Sequence, residues 1–403
     1  MEKIFLKNDI NKTIENYDFL GLKNSLELSE KDIIDKIKES NLRGRGGAGF
    51  PTGIKWDYAN SIQSDTKIVI CNGDEGEPGT FKDRFLMENM PFKVLEGIII
   101  CAYAVKANYG YIYIRGEYEK SINEIQKAIK FMYKNNLLGK NILNKNFDFE
   151  MKLIKGAGAY VCGDETSLIN SIEGERGRSR IKPPLPIEEG LYKKPTIVNN
   201  VESLSAAAEI MKYEDNPYIN LGTNESRGTK LISISGDVNN PDVYEVEFGE
   251  KTINEIIDLA GGIKGEKVGI VIPGGIATEC LIEEELDTLY SYEDLGKIGS
   301  SLGSGGMIVI NNERNLFEII KNVSDFFKNE TCGTCFPCRE GNKNINAILE
   351  RVLDSGEINQ EEKELIREIK DTIGLAARCG FGQSSVNLIL SILEKKISKK
   401  VTL

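Results

Sequence analysis

A chain of 403 residues is too long for one ordinary hydrophobic core and predicts two to four domains. Its net charge of −11 argues against a nucleic-acid partner, and no apolar run approaches the roughly 20 residues of a membrane-spanning helix. The start, MEKIFLKNDI, lacks the apolar core of a secretory signal, so the expectation is a cytoplasmic protein with no direct membrane insertion.

Taken in chain order, the first predicted element is a helix from Glu30 to about Ser40. Ser29 can cap it, Asp32 takes the third helical position, and Ile33, Ile34 and Ile37 share a face. A loop follows in which Gly44, Gly46 and Gly49 have G-x-G-x-x-G spacing. The dinucleotide fingerprint places that motif after a strand and opens a helix with it. Here it follows a helix and runs into Phe50-Pro51, which is not expected to extend one. A purely structural hairpin is one reading. The other is an anion nest made by converging N–H groups, with Arg45 and Lys55 adding positive charge.

From about 66 to 173, short apolar strands alternate with longer helical stretches. Lys67 to Cys71, Tyr111 to Arg115 and Met151 to Lys155 read as strands, and Phe92 to Ala107 and Glu119 to Leu138 as helices. That alternation predicts an α/β layered domain with a largely parallel sheet. A second loop, Gly156 to Gly163, follows the third strand and precedes a helix starting near Glu165. Gly158 and Gly163 have P-loop spacing, but Asp164-Glu165 stands where Lys-Ser/Thr should follow, and two acids would repel a triphosphate. Asn72, Asp74, Glu75 and Glu77 after the first strand, with Asp164 and Glu165 after the third, put acids at strand carboxyl ends, where open α/β sheets bind ligands. Solvated polar loops are the bland alternative. Glycines, Arg/Lys and carboxylates together suit a ligand with one phosphate and many hydroxyls, such as flavin mononucleotide.

A Pro-rich connector, Lys182 to Pro195, leads away. From about 229 to 310, LISISG, VYEVEF, GIVIPGG and MIVIN read as short strands around one helix, Ile253 to Ala260, a small α+β domain. From about 313 the chain is nearly all helical. The run Glu283, Glu284 and Glu285 reads as a solvated face.

The sequence has no histidine, which removes Ser/His and Cys/His nucleophiles and any His-ligated metal. It has eight cysteines, and three of them, Cys332, Cys335 and Cys338, form C-x-x-C-x-x-C. Three thiolates so spaced can wrap a corner of a cubane cluster. A two-cluster ferredoxin would place its next cysteine where Asn342 stands, so one cluster is expected and its fourth ligand must come from afar. Cys379, in the turn Arg378 to Gly382, is the best candidate. Zinc and plain buried thiols are the alternatives. Cys71, Cys101, Cys162 and Cys280 lie on apolar stretches and are expected to be small buried hydrophobes.

Five stretches carry a resemblance: LRGRGGAGFPTGIKW from Leu42, CNGDEGEPGTFKDR from Cys71, GAGAYVCGDET from Gly156, KPTIVNNVES from Lys194 and CGTCFPCREG from Cys332. Together they resemble the NADH- and flavin-binding F subunit of respiratory complex I. They are also similar to corresponding subunits of NAD-linked hydrogenases, formate dehydrogenases and electron-bifurcating complexes. The resemblance implies a Rossmann-like flavin domain over 66–228, preceded at 1–65 by a helix and glycine-rich loop packed on it. A ubiquitin-like β-grasp domain over 229–310 and a helical 4Fe–4S domain over 311–403 would follow. It implies FMN surrounded by Gly44, Arg45, Gly46, Gly47, Lys55, Asn72, Asp74, Glu75, Gly163, Asn199 and Asn200. Phe50 would stack on the bound nicotinamide nucleotide, Lys55, Glu77 and Glu165 would hold its polar parts, and Lys182 would reach its far end. The cluster ligands would be Cys332, Cys335, Cys338 and Cys379.

The implied activity is NADH dehydrogenase (diaphorase): hydride transfer between NAD(H) and FMN, then single electrons to the 4Fe–4S cluster and on to partners, with flavin-based bifurcation in some relatives. The implied partners are a small thioredoxin-like 2Fe–2S subunit and a larger ferredoxin-domain or catalytic subunit, with ferredoxin a further candidate acceptor. The chain reaches its glycine loop by residue 44 and stops shortly after Cys379, so no further cluster domain is expected at either end. A non-catalytic iron–sulfur scaffold or ligand-binding subunit is the alternative. Three positions depart from the family pattern: Asp164 stands for Glu, Gly76 for Ser, and Leu185 for an aromatic that would stack on adenine.

Overall fold

The computed structural model describes residues 16–397. Among the described residues there are two four-stranded sheets and a helical C-terminal region. The first sheet consists of β1 (Ile68–Gly73), β2 (Tyr109–Arg115), β3 (Glu150–Gly156) and β4 (Thr196–Asn200), in the order β3-β2-β1-β4. All of its pairings are parallel, with Cys71 facing Ile112 on one side and Asn199 on the other. Such sheets are buried on both faces, and β1 accordingly reads IVICNG with almost no exposed position.

The strand and helix expectations hold through residue 173, and Ser29 and Asp32 form a reciprocal capping box on helix Glu30–Glu39. Two expectations fail. A helix, Thr52–Ser61, does start directly after Phe50-Pro51, with Pro51 as its N-cap residue, where a proline costs nothing because no intrahelical N–H is needed there. The connector does not lead away either: it returns to the first sheet as β4, followed at once by helix Val201–Met211.

That helix is buried on every side and crosses helix Pro91–Val105, itself apolar nearly all round. Gly97 allows the crossing: a Cβ there would lie 2.0 Å from the Leu204 carbonyl oxygen. Lys93 and Glu209, both fully buried, pair across the same contact at 2.6 Å.

The second sheet consists of β5 (Thr229–Gly236), β6 (Asp242–Glu247), β7 (Val268–Ile272) and β8 (Gly306–Asn311), in the order β6-β5-β8-β7. It is mixed, since β5 and β8 run parallel while both edge pairings are antiparallel. Helix Ile253–Leu259 covers it through Ile253, Ile256 and Ile257. Three helices follow, Leu316–Glu330, Phe336–Ser355 and Gln360–Ala376, packed around Phe327, Ile345, Leu349, Ile366 and Ile373. Among the described residues no helix is long and apolar enough to cross a membrane.

Glu96, on helix Pro91–Val105, gives a testable consequence. It is fully buried, accepting from the Tyr17 hydroxyl and, at 2.8 Å, from the Leu22 N–H. Burial outweighs those bonds and pushes its carboxyl up to about 7. A carboxyl raised on folding stabilises the native state fully below its ordinary value, and that contribution is lost as pH rises through about 7. Thermal unfolding of the native chain and of Glu96→Gln should therefore diverge between about pH 5 and pH 8, the native chain losing ground as pH rises. A pH-independent difference would contradict the assignment.

Candidate functional site

The chain leaves β1 toward β2 on one side and returns through β4 on the other. The carboxyl ends of β1 and β4 thus flank a topological switch point, where open α/β sheets bind ligands. The glycine loop lies over this point. The Gly44 N–H donates to the Phe50 carbonyl and the Thr52 N–H to the Leu42 carbonyl, both at 2.8 Å, closing a hairpin. Gly47 has φ +129° and Gly49 φ +64°; a Cβ at Gly49 would stand 2.9 Å from the Tyr292 ring. Tyr292, which starts the short helix Tyr292–Lys297 between β7 and β8, pins the loop by donating its hydroxyl to the Gly44 carbonyl at 3.1 Å under the Arg43 guanidinium. Beneath it, a Cβ on Gly46 would lie 3.3 Å from Asn200 Cβ.

The expected residues fall into three groups. Those at the mouth of the switch point are tied together. The Asn72 amide donates to the Gly163 carbonyl at 2.9 Å, and its oxygen accepts from the Asp74 N–H at 3.0 Å. Lys55 donates to the Val198 carbonyl at 2.7 Å and stands 3.4 Å from Glu165, whose other oxygen takes Lys182 at 2.6 Å. Burial pushes Glu165 upward, but the two lysines outweigh it and hold the carboxyl below its ordinary value. Asn199 and Asn200 end β4. The first is held by the Trp56 indole N–H at 3.4 Å and beside the Cys101 thiol. The second donates to Asp83 at 2.6 Å and caps helix Val201–Met211.

A second group turns inward. The Arg45 guanidinium is buried, donating to Tyr218 and to the Thr229 carbonyl, both at 3.1 Å, so its charge sits behind the loop. Glu75 caps helix Lys82–Asn89, accepting from the Asp83 and Arg84 N–H groups at 2.8 and 2.9 Å. Asp164 caps helix Glu165–Ile172 through the Thr166 and Ser167 N–H groups. Glu77 is only half-buried and spans from the mouth to the second sheet's loop, accepting from the Ala277 N–H at 3.2 Å and from the Tyr160 hydroxyl. Phe50 stands apart, 56% exposed at the base of the hairpin.

One atom at the mouth tests the fit to a flavin nucleotide. Asp74 is nearly buried, and its Oδ2 has no hydrogen-bond partner. Burial raises its carboxyl to about 7 despite Arg115. A desolvated acceptor without a donor is costly, and a polyhydroxylated chain lying between the two glycine loops would supply the donor.

The cysteine quartet lies beside this mouth. Cys335 precedes helix Phe336–Ser355, Cys338 is in its first turn, and Cys379 precedes the short helix Gly380–Ser384. A Cβ at Gly382 would stand 3.3 Å from the Cys338 sulfur, which brings the Cys379 turn against the C-x-x-C-x-x-C loop. Burial raises the Cys338 thiol, with Cys379, Cys335 and Cys332 adding to the shift. Burial likewise raises Cys379, with Asp164 and Cys332 adding and a hydrogen bond from Ser179 opposing. Among the described residues no three Cys, Asp or Glu side chains close on one point as they do around a single metal ion. A cubane asks for a wider quartet, because each thiolate takes a separate iron corner. The four other cysteines are buried, as expected.

Sequence reasoning missed the residues that join the two places. Tyr160, in the second loop, packs its ring on Phe326 and Phe381 at 5.1 and 5.5 Å, while Ser179 contacts both Asp164 and Cys379. Tyr160 lies inside the second glycine motif, which is the signal that could have found it; Ser179 carries none.

Residues 37–209 match the family described as Nuo51 FMN-binding domain, and residues 318–396 the NADH-ubiquinone oxidoreductase-F iron-sulfur binding region. The chain is 41% identical to the F subunit of NADH-quinone oxidoreductase of Aquifex aeolicus, over 96% of this chain and 89% of that one. It is 42% identical to the Escherichia coli F subunit, over 86% and 78%. It is 40% identical to the alpha subunit of the NAD-reducing hydrogenase HoxS of Cupriavidus necator, over 92% of this chain and 60% of that one. A solved NAD⁺-reducing [NiFe]-hydrogenase in the H₂-reduced state superposes with a TM-score of 0.88 at 31% identity, over 97% of this chain and 65% of that chain. The chain thus spans about two thirds of the hydrogenase chain.

If Cys379 completes the quartet, Cys379→Ala should strip or distort the bound iron–sulfur group, read as iron content and as the paramagnetic signal of the reduced protein. Cys280→Ala, at a thiol buried beside Ser391, should leave both intact. The reverse pattern would remove Cys379 from the ligand set.

Proposed function

The chain belongs to the family of NADH-quinone oxidoreductase F subunits and their counterparts in NAD-reducing hydrogenases, and we propose that its two adjoining sites work in series as an NADH:acceptor oxidoreductase subunit. The observation that carries this reading is the adjacency itself: the mouth between the glycine loops and the thiol quartet share Tyr160, Ser179 and Asp164 as common walls. When bound, FMN and a 4Fe–4S cluster supply the hydride and one-electron chemistry.

The chain's own residues bind and orient. The Gly46 and Gly47 N–H groups face the phosphate, while the Gly44 N–H closes the hairpin that presents them. Asn72, Asp74 and Gly163 take the ribityl hydroxyls, with Asn199 and Asn200 closing the floor. Arg45 and Glu75 act from behind, stiffening the loop and the turn they anchor. Phe50 offers an exposed ring to the nicotinamide nucleotide, and Lys55, Glu165, Glu77 and Lys182 receive its polar parts. Leu185, 39% exposed, offers apolar area but no aromatic face at the far end. No residue is needed as general acid or base, in keeping with a chain that has no histidine. Cys332, Cys335, Cys338 and Cys379 hold the cluster.

The finer architecture is proposed to follow the same reading, although residues 1–15 and 398–403 lie outside the described residues. Within 1–65 a helix and glycine loop would pack on a Rossmann-like flavin domain at 66–228. A ubiquitin-like β-grasp domain at 229–310 and a helical 4Fe–4S domain at 311–403 would follow. The relatives are named as subunits, so the onward acceptor is proposed to be another chain: a small thioredoxin-like 2Fe–2S subunit together with a larger ferredoxin-domain or catalytic subunit, in the cytoplasm.

Carboxylates at Glu77 and Glu165 disfavour a 2′-phosphate by like-charge repulsion and desolvation. With an artificial dye as acceptor, kcat/KM should favour NADH over NADPH, and Glu77→Gln should narrow the gap. Neither ferredoxin nor quinone should be reduced at a useful rate without partner subunits. Equal kcat/KM for the two nucleotides would refute the nucleotide assignment, and rapid quinone reduction by the chain alone would refute its place as a subunit.

A further inference from the structure

The C-x-x-C-x-x-C loop bends at Gly333, whose φ is +75°. Two guanidiniums hold that bend. Arg176, in the turn after helix Glu165–Ile172, donates Nη2 to the Cys332 carbonyl at 2.6 Å. Arg339, in the first turns of helix Phe336–Ser355, donates Nη1 to the Gly333 carbonyl at 2.6 Å. A Cβ at Gly333 would lie 3.7 Å from Arg339 Cδ and 3.8 Å from Arg176 Nη2, so both side chains flank one peptide.

Their charges are unevenly matched. Arg339 pairs with Glu340 at 2.7 Å, and Glu340 also takes Lys343 at 3.3 Å. The nearby Arg180 is matched by Glu173 at 2.5 Å. Arg176 meets no carboxylate among the described residues; its anchor is the Cys332 carbonyl. The opposite corner is different. There the Ser179 hydroxyl lies 3.4 Å from the Asp164 carboxylate, and among the described residues no guanidinium is seen to clasp the turn. The quartet thus has its cationic side at Cys332 and Gly333.

We propose that Arg176 and Arg339 are positioning residues that raise the reduction potential of the cluster held by this quartet, Arg176 doing so as a clasp from the flavin side of the chain. The proposal rests on the iron–sulfur reading of the four cysteines and deepens it. A thiolate-ligated cubane gains one further negative charge on reduction, and its potential follows net charge and hydrogen bonding around the sulfurs. Fixed cations at the loop favour the reduced form. Their bonds to two carbonyl oxygens also neutralise the negative ends of the loop's peptide dipoles. A guanidinium stays protonated at any pH the protein survives, so this field is constant. Arg176 is solvent-exposed and partly screened; the hydrogen bond is what keeps its charge at the loop. The consequence is directional: a cluster held at higher potential accepts electrons from the flavin side more readily and gives them up to the partner less readily.

The test is a redox titration of the full chain loaded anaerobically with FMN and cluster, following the cluster's paramagnetic signal and the flavin's visible bands separately. Arg176→Gln and Arg339→Gln should each lower the cluster midpoint. Arg176→Lys, which keeps the charge, should shift it less than Arg176→Gln. Glu340→Gln, a surface change that leaves Arg339 unmatched, should raise it. The flavin midpoint should stay put throughout, which a general loosening of the fold would not allow. An unmoved cluster midpoint in both Gln variants, or equal shifts for Lys and Gln at 176, overturns the proposal. If an arginine variant cannot retain the cluster, the sign of the Glu340→Gln shift decides: upward supports the proposal, unchanged or downward overturns it. Absence of any cluster signal in the unaltered chain overturns the iron–sulfur reading instead, so the two failures are distinct.

Discussion

One carboxylate with no access to water anchors the rest of the molecule. Glu202, in the first turn of helix Val201–Met211, is fully buried and accepts from Lys230 at 2.6 Å, from Lys82 at 3.0 Å and from the Leu231 N–H at 2.9 Å, with Arg45 at 4.0 Å. Those partners come from β5, from the start of helix Lys82–Asn89 and from the glycine loop. Burial pushes Glu202 upward, but Lys230, Lys82 and Arg45 outweigh it and keep the carboxylate ionised. Breaking such a group by removing one partner costs about 3–5 kcal/mol, because the remaining charge is left buried and unmatched. A helix N-terminus adds its own favourable field. The glycine loop, the first sheet and the second sheet are therefore held in register by charge rather than by apolar packing alone.

That register decides which residues face the mouth. Arg45 lies behind the loop because Glu202, Tyr218 and the Thr229 carbonyl hold it there. Asp83 continues the network, accepting from Asn200 and pairing with Lys82 at 2.7 Å. The mouth is left with Asp74, the partly exposed Glu77, Glu165, Lys55 and Lys182, and with backbone groups that glycine alone exposes. Asp74 keeps one oxygen unpaired in the described structure while every other acid nearby is matched or capping, which is the pattern expected where a ligand completes the hydrogen bonding.

Much of this was legible in the sequence because the signals were local. The three cysteines announce themselves by spacing, and the Ser29 cap and the buried runs of β1 and β2 follow from composition. The misses have physical reasons. β4 is five residues long and begins directly after Pro195, so it reads as the tail of a connector. Helix Val201–Met211 has no polar face to give it a 3.6-residue period, because it is buried all round. The helix after Pro51 is hidden by the rule against proline in helix interiors, although Pro51 only precedes it. The inward turn of Arg45 and the capping role of Glu75 depend on partners more than a hundred residues away, or on a helix end whose position no local pattern shows. The joining role of Tyr160, through Phe326 and Phe381, is of the same long-range kind.

The central claim is that one chain carries both a hydride-accepting and a one-electron centre in contact with each other. It is tested most directly by the visible and paramagnetic spectra of anaerobically purified protein, with flavin and iron quantified, before and after NADH. The account predicts one flavin and about four irons per chain, flavin bands that bleach on adding NADH, and a reduced-cluster signal that appears with the bleaching. A spectrum with the cluster alone, unchanged by NADH, would contradict it and leave an iron–sulfur scaffold in its place.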